Sequence, residues 1–174
     1  MEIKTNRLLL RKFNKEDINQ TYMNALNDYS IMGMTEARHV VWDQNNVEKF
    51  IEKANTKDSI LLSVIIKDLE KPIGNIRLFN IHHIHKRAEI SLLFYDKSEW
   101  GKGYGTESVK AVVKYAFETL QLHRVIADYY STNIASSKIF KKAGFNIEGI
   151  FKDHFFTNDM NFVDSIRIAI INTN

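Results

Sequence analysis

Three glycines within five positions restrict the fold of this chain more than any other feature. Gly101, Gly103 and Gly105 lie in the segment WGKGYGT and are three of only seven glycines in 174 residues. An apolar strand-like run precedes this segment and a helical pattern follows it. Glycine has no β-carbon, so backbone N–H groups in such a loop can approach an anion closely. The positive end of the following helix favours the same anion, so the segment predicts a phosphate-binding turn.

Two common phosphate-binding loops do not match this segment. A P-loop has the spacing GxxxxGK followed by Ser or Thr, and the dinucleotide fingerprint has the spacing GxGxxG. Counted from Gly103, the third glycine of the fingerprint would stand at Ser108. A tight turn without a ligand is the alternative that the short motif leaves open.

The remaining apolar pattern predicts alternating strands and helices. The first half comprises a strand around Ile3, Leu8 and Leu10, a helix capped by Asn14, an exposed polar and aromatic connection from Asp28 to Trp42, a helix after Asp43, and a hairpin of Ile60 to Lys67 with Ile73 to Ile81. The second half comprises a strand from Arg87 to Tyr95, a helix from Thr106 to Leu120, a strand from Val125 to Tyr130, a short helix from Ala135 to Ala143, and a closing hairpin that turns at Asn158 to Asn161.

Composition excludes several classes of function. The chain has no cysteine, which excludes disulfides, a thiolate nucleophile and a cysteine zinc site. Its 24 basic and 21 acidic residues are interspersed, so we expect no nucleic-acid partner. The charged N-terminal segment and the lack of an 18-residue apolar run predict no membrane association and a cytoplasmic location. The length predicts one domain, residues 1–174.

Three histidines lie close together without the spacing of a metal site. His82, His83 and His85 fall in a predicted turn and have no matching carboxylate or further histidine at helical spacing. We therefore expect an exposed turn and no metal, with a proton-relay role for one histidine as the alternative.

Further motifs follow the glycine segment in a fixed order. Asn133-Ile-Ala-Ser136 comes first, then Lys142-Ala-Gly144-Phe145 and a closing EGIFKDHFF with NFVDSIRIAI, while TNRLLLR opens the chain. Over nearly its whole length the chain resembles the GCN5-related N-acetyltransferases (GNAT family), in the branch that acetylates ribosomal-protein alanine, amino sugars or spermidine. The resemblance implies an α/β (α+β) fold: a highly twisted, mostly antiparallel sheet of six to seven strands, four flanking helices and a splayed parallel strand pair.

The resemblance also implies acetyl-coenzyme A as co-substrate, with no metal, and frequent assembly as a homodimer. Backbone amides of the strand, including one at a bulge that would polarise the thioester carbonyl, would pair with the pantetheine arm. The implied coenzyme-binding residues are Leu93, Phe94, Tyr95, Gly101, Lys102, Gly103, Tyr104, Gly105, Thr106, Asn133, Ser136, Phe140 and Lys142.

Acetyl transfer to an amine requires a base, because a primary ammonium group with a pKa of about 10.4 is almost wholly charged at neutral pH. Glu89 is our candidate, acting directly or through one water, because it begins the strand that would run along the thioester. The alternative is an exposed glutamate that pairs with Lys86 or Arg87.

A general acid is harder to assign. Phe140 stands where many GNAT members have a tyrosine that protonates the departing thiolate, and phenylalanine cannot donate a proton. Tyr129 or Tyr130 are the candidate replacements. A thiol with a pKa of about 8.5 is a tolerable leaving group, so the reaction could also proceed without an acid.

The acceptor side is predicted from the resemblance and from polar residues in loops. Arg38, Trp42 and His154 are candidate substrate-binding residues, and a mobile, purely decorative loop is the alternative for the first two. The expected reaction is direct attack by a primary amine of an amino sugar, a polyamine or a protein N-terminus. A non-catalytic acyl-coenzyme A sensor, and an acyltransferase with a longer acyl chain or an alcohol acceptor, are the rival hypotheses.

Overall fold

The computed structural model describes residues 1–173 and contains one sheet of eight strands in the order β1-β2-β3-β4-β5-β6-β8-β7. The strands are β1 (Glu2–Lys4), β2 (Leu8–Lys12), β3 (Ile60–Ile66), β4 (Lys71–His82), β5 (Arg87–Phe94), β6 (Arg124–Tyr130), β7 (Asn146–Phe156) and β8 (Phe162–Ile171). All neighbouring strands are antiparallel except β5 and β6. The mostly antiparallel sheet is therefore confirmed.

The eighth strand arises because the first apolar pattern is two strands rather than one. A tight turn at residues 5–7 separates β1 from β2, and the Thr5 hydroxyl stabilises it by accepting a hydrogen bond from the Leu8 N–H at 2.8 Å. Leu8 and Leu10 are nevertheless buried in the core, and Ile3 packs against it. The predicted count of six to seven strands is thus one or two short of the eight observed.

Five α-helices accompany the sheet: α1 (Gln20–Leu26), α2 (Tyr29–Met32), α3 (Gln44–Ala54), α4 (Tyr104–Glu118) and α5 (Ile134–Ala143). The extra helix, α2, is a single turn inside the predicted connection. The sequence predicted that Asn14 caps the first helix. Asn14 instead caps a 3-10 turn at Lys15–Asp17. Asn19 caps α1 instead, accepting from the Tyr22 N–H at 2.9 Å. The cause is Asp17, whose carboxylate is held by the Arg11 guanidinium at 2.7 and 2.8 Å.

Buried side chains cover both faces of the sheet. Along β5, Ala88 and Ile90 belong to a core that includes α4 and α5, and Leu92 packs against it. The alternate residue Leu93 packs against a second core, which includes Tyr22 of α1 and Val47 of α3. Because successive side chains of a strand point to opposite faces, β5 separates an α4–α5 face from an α1–α3 face.

The connection between α1 and α3 is not the exposed loop that its composition predicted. Met32 and Trp42 are 3% and 8% exposed, and the Trp42 indole N–H donates to the Ala37 carbonyl at 3.0 Å. The Trp42 ring also contacts Phe50 of α3 edge-on, with ring centroids 5.6 Å apart. Large apolar residues in this segment therefore fold it back onto the second core.

Candidate active site

The parallel strands β5 and β6 part soon after they meet. They pair only over Arg87–Glu89 and Arg124–Ile126, and beyond this point each strand runs on without the other. β5 continues to Phe94 and β6 to Tyr130, so a gap opens between them. The predicted splayed pair is confirmed.

Hydrogen bonding to β4 decides which amides of β5 face this gap. The Tyr95 N–H donates to the Ile73 carbonyl of β4 at 3.1 Å, so Tyr95 points away from the gap. Neighbouring residues of a strand direct their N–H and C=O groups to opposite edges, so Phe94 and Leu92 face the gap while Leu93 faces β4. The expectation that Leu93 and Tyr95 supply amides to the pantetheine arm is therefore wrong, because the amides of both residues point toward β4. The residues whose amides face the gap lie one position earlier in each case. Phe94 stays a prediction.

The bulge that the family resemblance placed in β5 lies in β4. Pairing is regular from Glu89 to Phe94 of β5, and the register shifts between Phe79 and His82 of β4. Asn80, inside this bulge, has a φ of 50°. A preorganised donor for the thioester carbonyl must therefore come from the unpaired gap edge of β5 rather than from a bulge.

The glycine segment connects β5 to the start of α4, as predicted. Gly101 and Gly103 have φ values of 77° and 87°, the left-handed region that glycine adopts without strain. Within residues 1–173 no acceptor binds the backbone N–H groups of residues 102–106. These five donors lie at the positive end of a 15-residue helix. The loop thus presents a row of free donors for an anion.

Three residues of this segment have contacts that the sequence did not predict. The Lys102 ammonium is paired with Glu99 at 2.8 Å, and Lys71 shares the same carboxylate at 3.1 Å. A β-carbon on Gly105 would lie 2.8 Å from Cδ1 of Ile139, so Gly105 permits the close packing of α4 on α5. Tyr104 stacks under the guanidinium of Arg7, 4.4 Å from its ring centroid.

The other predicted coenzyme residues lie on α5. The Asn133 side chain caps the helix by accepting from the Ser136 N–H at 3.0 Å, and both residues stay predictions as ligands. Lys142 is exposed in the last turn, about 9 Å along the helix axis from Ser136 at 1.5 Å per residue. Phe140 is 3% exposed between Tyr129 and Phe145, so it belongs to the core, and it stays a prediction as a coenzyme ligand.

Glu89 is the last residue of β5 that pairs with β6, opposite Ile126, and therefore lies at the mouth of the gap. It is half-buried, and its carboxylate accepts one hydrogen bond, from the Asn80 side-chain amide at 3.0 Å. No ion pair to Lys86 or Arg87 is present among residues 1–173. The role of Glu89 as the base stays a prediction.

The two candidate tyrosines point to opposite faces of β6. Tyr129 lies on the α5 side, nearly parallel to Phe140 at a centroid distance of 6.4 Å, and its hydroxyl has no partner within the described chain. Tyr130 lies on the other face, where its hydroxyl donates to Glu36 and accepts from Arg38. Burial, and then the Glu36 carboxylate, raise the pKa of Tyr130 to about 12. Of these two tyrosines, Tyr129 is the one whose hydroxyl has no hydrogen-bond partner within residues 1–173.

The substrate-binding expectations for Arg38 and Trp42 are not supported by the packing. The Arg38 side chain is 3% exposed; it donates to the Phe156 carbonyl at 2.8 Å and to Tyr130, which ties the connection to β6 and β7. Trp42 is a core residue. The Glu36 side chain is 64% exposed, and its carboxylate is paired with the Arg38 guanidinium at 3.8 Å. His154 is exposed beside Phe151 and Phe155 and stays a prediction.

Several residues near the gap were missed by sequence reasoning. Asp128 of β6 shares the Glu89 face and forms a two-point ion pair with Arg167 of β8, at 2.9 and 2.8 Å. Arg7 and Glu107 lock the first turn of α4 to the β1–β2 turn. The TNR segment and an acidic residue in the first turn of α4 were the available signals, but neither reveals its partner a hundred residues away.

The three histidines lie at the end of β4 and in the turn between β4 and β5. His82 and His85 stack with ring centroids 4.3 Å apart, and His83 pairs with Asp58. Within the described part of the chain, no group of three or more His, Asp or Glu side chains is arranged to hold a metal ion. In the same part, each helix is too short or too polar to cross a membrane.

Comparison with known proteins identifies this architecture. The family model described as "Acetyltransferase (GNAT) domain" matches residues 7–146, which include the gap, the glycine segment and α5. The chain belongs to the GNAT acetyltransferase family. This GNAT membership confirms the predicted fold class and an acetyl-coenzyme A-dependent acyltransferase that acts on amines.

Individual relatives agree with this assignment. The chain is 30% identical to the uncharacterized N-acetyltransferase YnaD of Bacillus subtilis, over 87% of this chain and 86% of YnaD. It is 29% identical to the spermidine N(1)-acetyltransferase of Escherichia coli, over 92% of this chain and 84% of that enzyme. A crystal structure of a GNAT acetyltransferase from Bacillus anthracis superimposes with a TM-score of 0.83 at 27% identity, covering 98% of each chain.

Proposed function

We propose that the protein transfers the acetyl group of acetyl-coenzyme A to a primary amine of a cationic acceptor, with a polyamine as the first candidate. One observation carries this proposal: the β5–β6 gap has free backbone donors of residues 102–106 at one end and the Glu89 carboxylate at the other. A diphosphate on the donors and a thioester beside β5 would place the acetyl group near Glu89.

The proton path follows from the two faces of the gap. The amine nitrogen bonds to the acetyl carbon as the carbon–sulfur bond breaks, and Glu89 takes the amine proton directly or through one water. Tyr129, on the α5 side with its free hydroxyl, returns a proton to the departing thiolate. Attack is direct, because the chain has no cysteine to carry an acyl group.

The acceptor class rests on charge. Glu89 lies at the mouth of the gap with no ion pair within residues 1–173, whereas Glu36 is paired with Arg38 and Asp128 with Arg167. A cationic acceptor meets complementary charge there, and an anionic one meets repulsion. The similarity to a spermidine acetyltransferase supports a polyamine over an amino sugar or a protein N-terminus.

The test is release of free thiol from acetyl-coenzyme A across a panel of spermidine, an amino sugar and a peptide with a free N-terminus. We expect turnover with spermidine, with mass spectrometry detecting one added acetyl group. Preference for the amino sugar or the peptide would overturn the acceptor assignment. Binding of acetyl-coenzyme A without turnover on any amine would instead support a sensor.

We propose further that the whole chain acts as one domain in the cytoplasm. Two copies would associate through the β7–β8 hairpin. Edge strand β7 exposes Ile147 and Ile150, at 63% and 52%, and Phe162 of β8 is 62% exposed; exposed apolar side chains on an edge strand favour association. Sedimentation should show a dimer that Phe162→Ser weakens, and a monomer at all concentrations would exclude it. Cell fractionation tests the location.

A further inference from the structure

The turn between β1 and β2 reaches across the molecule to the glycine loop. Arg7, in this turn, donates from Nη1 to the Lys102 carbonyl at 3.0 Å and from Nε to the Glu107 carboxylate at 2.7 Å. Its Nη2 lies 2.6 Å from the same carboxylate. One guanidinium therefore contacts both the loop and the first turn of α4, although the sequence separation is about a hundred residues.

The contact with Lys102 determines where the next amide points. A peptide unit is planar and trans, so the carbonyl of Lys102 and the N–H of Gly103 point in opposite directions. Arg7 holds the carbonyl on its own side of the loop, which directs the Gly103 N–H away from Arg7. Gly101 and Gly103 on either side impose no conformation of their own. Arg7 supplies the rigidity that this part of the loop lacks.

The contact with Glu107 removes an electrostatic conflict. Glu107 lies in the first turn of α4, beside the donors for an anion. Its carboxylate would repel a diphosphate there, but it accepts hydrogen bonds from the Thr5 hydroxyl at 2.6 Å and from the Arg7 N–H at 3.0 Å, besides the guanidinium. The negative charge is thereby neutralised and turned toward the β1–β2 turn.

We infer that Arg7 is a positioning residue for the coenzyme diphosphate: it aims the amides of the glycine loop and neutralises Glu107. This inference rests on the proposed binding of acetyl-coenzyme A in the gap. Each of the three guanidinium nitrogens of Arg7 contacts a protein atom, and we therefore assign Arg7 to positioning the loop.

The experiment compares two ligands that differ in the diphosphate. Dissociation constants for acetyl-coenzyme A and for acetyl-pantetheine, which lacks the diphosphate and the nucleotide, are measured by calorimetry or by competition. Arg7→Ala should weaken acetyl-coenzyme A about tenfold to a hundredfold, the range for losing hydrogen bonds to charged groups. Affinity for acetyl-pantetheine should change by less than about twofold, and kcat at saturation should stay near the original value.

Matched variants separate positioning from general destabilisation. Arg11→Ala removes a comparable two-point pair, with Asp17, on the same N-terminal hairpin but away from the loop, and should leave both affinities unchanged. Arg7→Lys keeps the charge without the planar fork and should recover only part of the affinity. Arg7→Ala combined with Glu107→Gln should bind acetyl-coenzyme A more tightly than Arg7→Ala alone, because no unpaired carboxylate remains.

The outcomes are distinguishable from failure of the proposed function. If the unaltered protein binds neither ligand, the coenzyme assignment itself fails. If it binds acetyl-coenzyme A but Arg7→Ala weakens both ligands equally, or weakens neither, the role of Arg7 in positioning the loop is overturned. An equal loss of coenzyme affinity in Arg11→Ala would also overturn it, since that change touches no loop residue.

Discussion

Glu89 is a candidate base because of its position: it is the last residue of β5 that pairs with β6, and the gap between the two strands begins directly after it. It is half-buried, has one weak neutral partner in Asn80, and lies on the same face as Asp128. A carboxylate with so few partners is free to exchange a proton with a substrate amine or a water.

We expect Glu89→Gln to lower kcat about a hundredfold, the scale of general base catalysis, because glutamine has the same shape but cannot accept the proton. The loss should be largest at low pH, where the acceptor amine is most fully protonated, and coenzyme affinity should be nearly unchanged. The pH–rate profile with acetyl-coenzyme A measures this. A variant profile that overlies the original would remove Glu89 as the base.

Tyr129 is the residue to test for thiolate protonation. Tyr129→Phe should lower kcat by about tenfold to a hundredfold at neutral pH without changing coenzyme affinity, because only the hydroxyl is lost. The ring still stacks on Phe140, so stability should hold. Rates are compared with acetyl-coenzyme A and with a thioester of a more acidic thiol, which needs less protonation. Equal rates for variant and original with both donors would mean that the thiolate leaves unassisted.

At the scale of elements, the glycine segment combines two different requirements. Gly101 and Gly103 are needed for their positive φ, whereas Gly105 is needed because α4 and α5 approach closely at Ile139. The three glycines look equivalent in the sequence, and only the packing of α5 distinguishes them.

Gly105→Val should therefore destabilise the fold by about 1–3 kcal/mol, the usual cost of overpacking a core. Its β-carbon would lie 2.8 Å from a methyl carbon of Ile139. Denaturant unfolding measures the change, with Gly149→Ala as the control, because no atom lies within 4 Å of a β-carbon at that position. Combining Gly105→Val with Ile139→Ala should recover part of the loss; no recovery would contradict this packing role.

At the scale of the whole molecule, ion pairs fasten segments that are distant in the chain. A hydrogen bond from the Lys97 ammonium lowers the pKa of Asp28, which lies 69 residues earlier in the chain. Burial pushes the pKa of Glu107 upward, but hydrogen bonds from Thr5 and Arg7 outweigh it and leave the pKa below its ordinary value. Each of these carboxylates is stabilised in its charged form only when the chain is folded.

The lowered pKa of Glu107 makes the stability of the fold depend on pH. A carboxylate whose pKa is lower in the folded state contributes stability above its unfolded value, here 4.5 for Glu107, and loses it as the pH falls through the folded value. The thermal midpoint should therefore drop below about pH 4.5. Glu107→Gln should have a lower midpoint at pH 7 and a shallower fall on acidification. Melting curves from pH 7 to pH 3 check this, and parallel curves for the two proteins would contradict it.

Much of the architecture could be predicted from the sequence, because the residue patterns that indicate strands, turns and helices are local. The strand, glycine turn and helix of residues 87–120, the hairpin around Asp68, and the Gly144 helix end each depend on residues that are neighbours in the chain. The order of the motifs then indicated the family. Turn-forming residues, helix caps and periodic apolar positions favour the same local structure wherever they lie in a chain.

The tertiary structure decided everything that depends on two distant segments. Pairing of β5 with β4 turned the amide of Phe94, rather than that of Leu93, toward the gap. Packing buried Trp42 and the side chain of Arg38 in a segment whose composition is polar. It also brought Arg7 to the glycine loop. The physical reason is that register, burial and ion pairing are set by the partner across the fold, and no periodicity along one segment specifies that partner. The sequence by itself indicated most of the helices and strands and the kind of ligand they could hold. Packing determined the split between β1 and β2, the extra helix α2 and which atoms face the ligand.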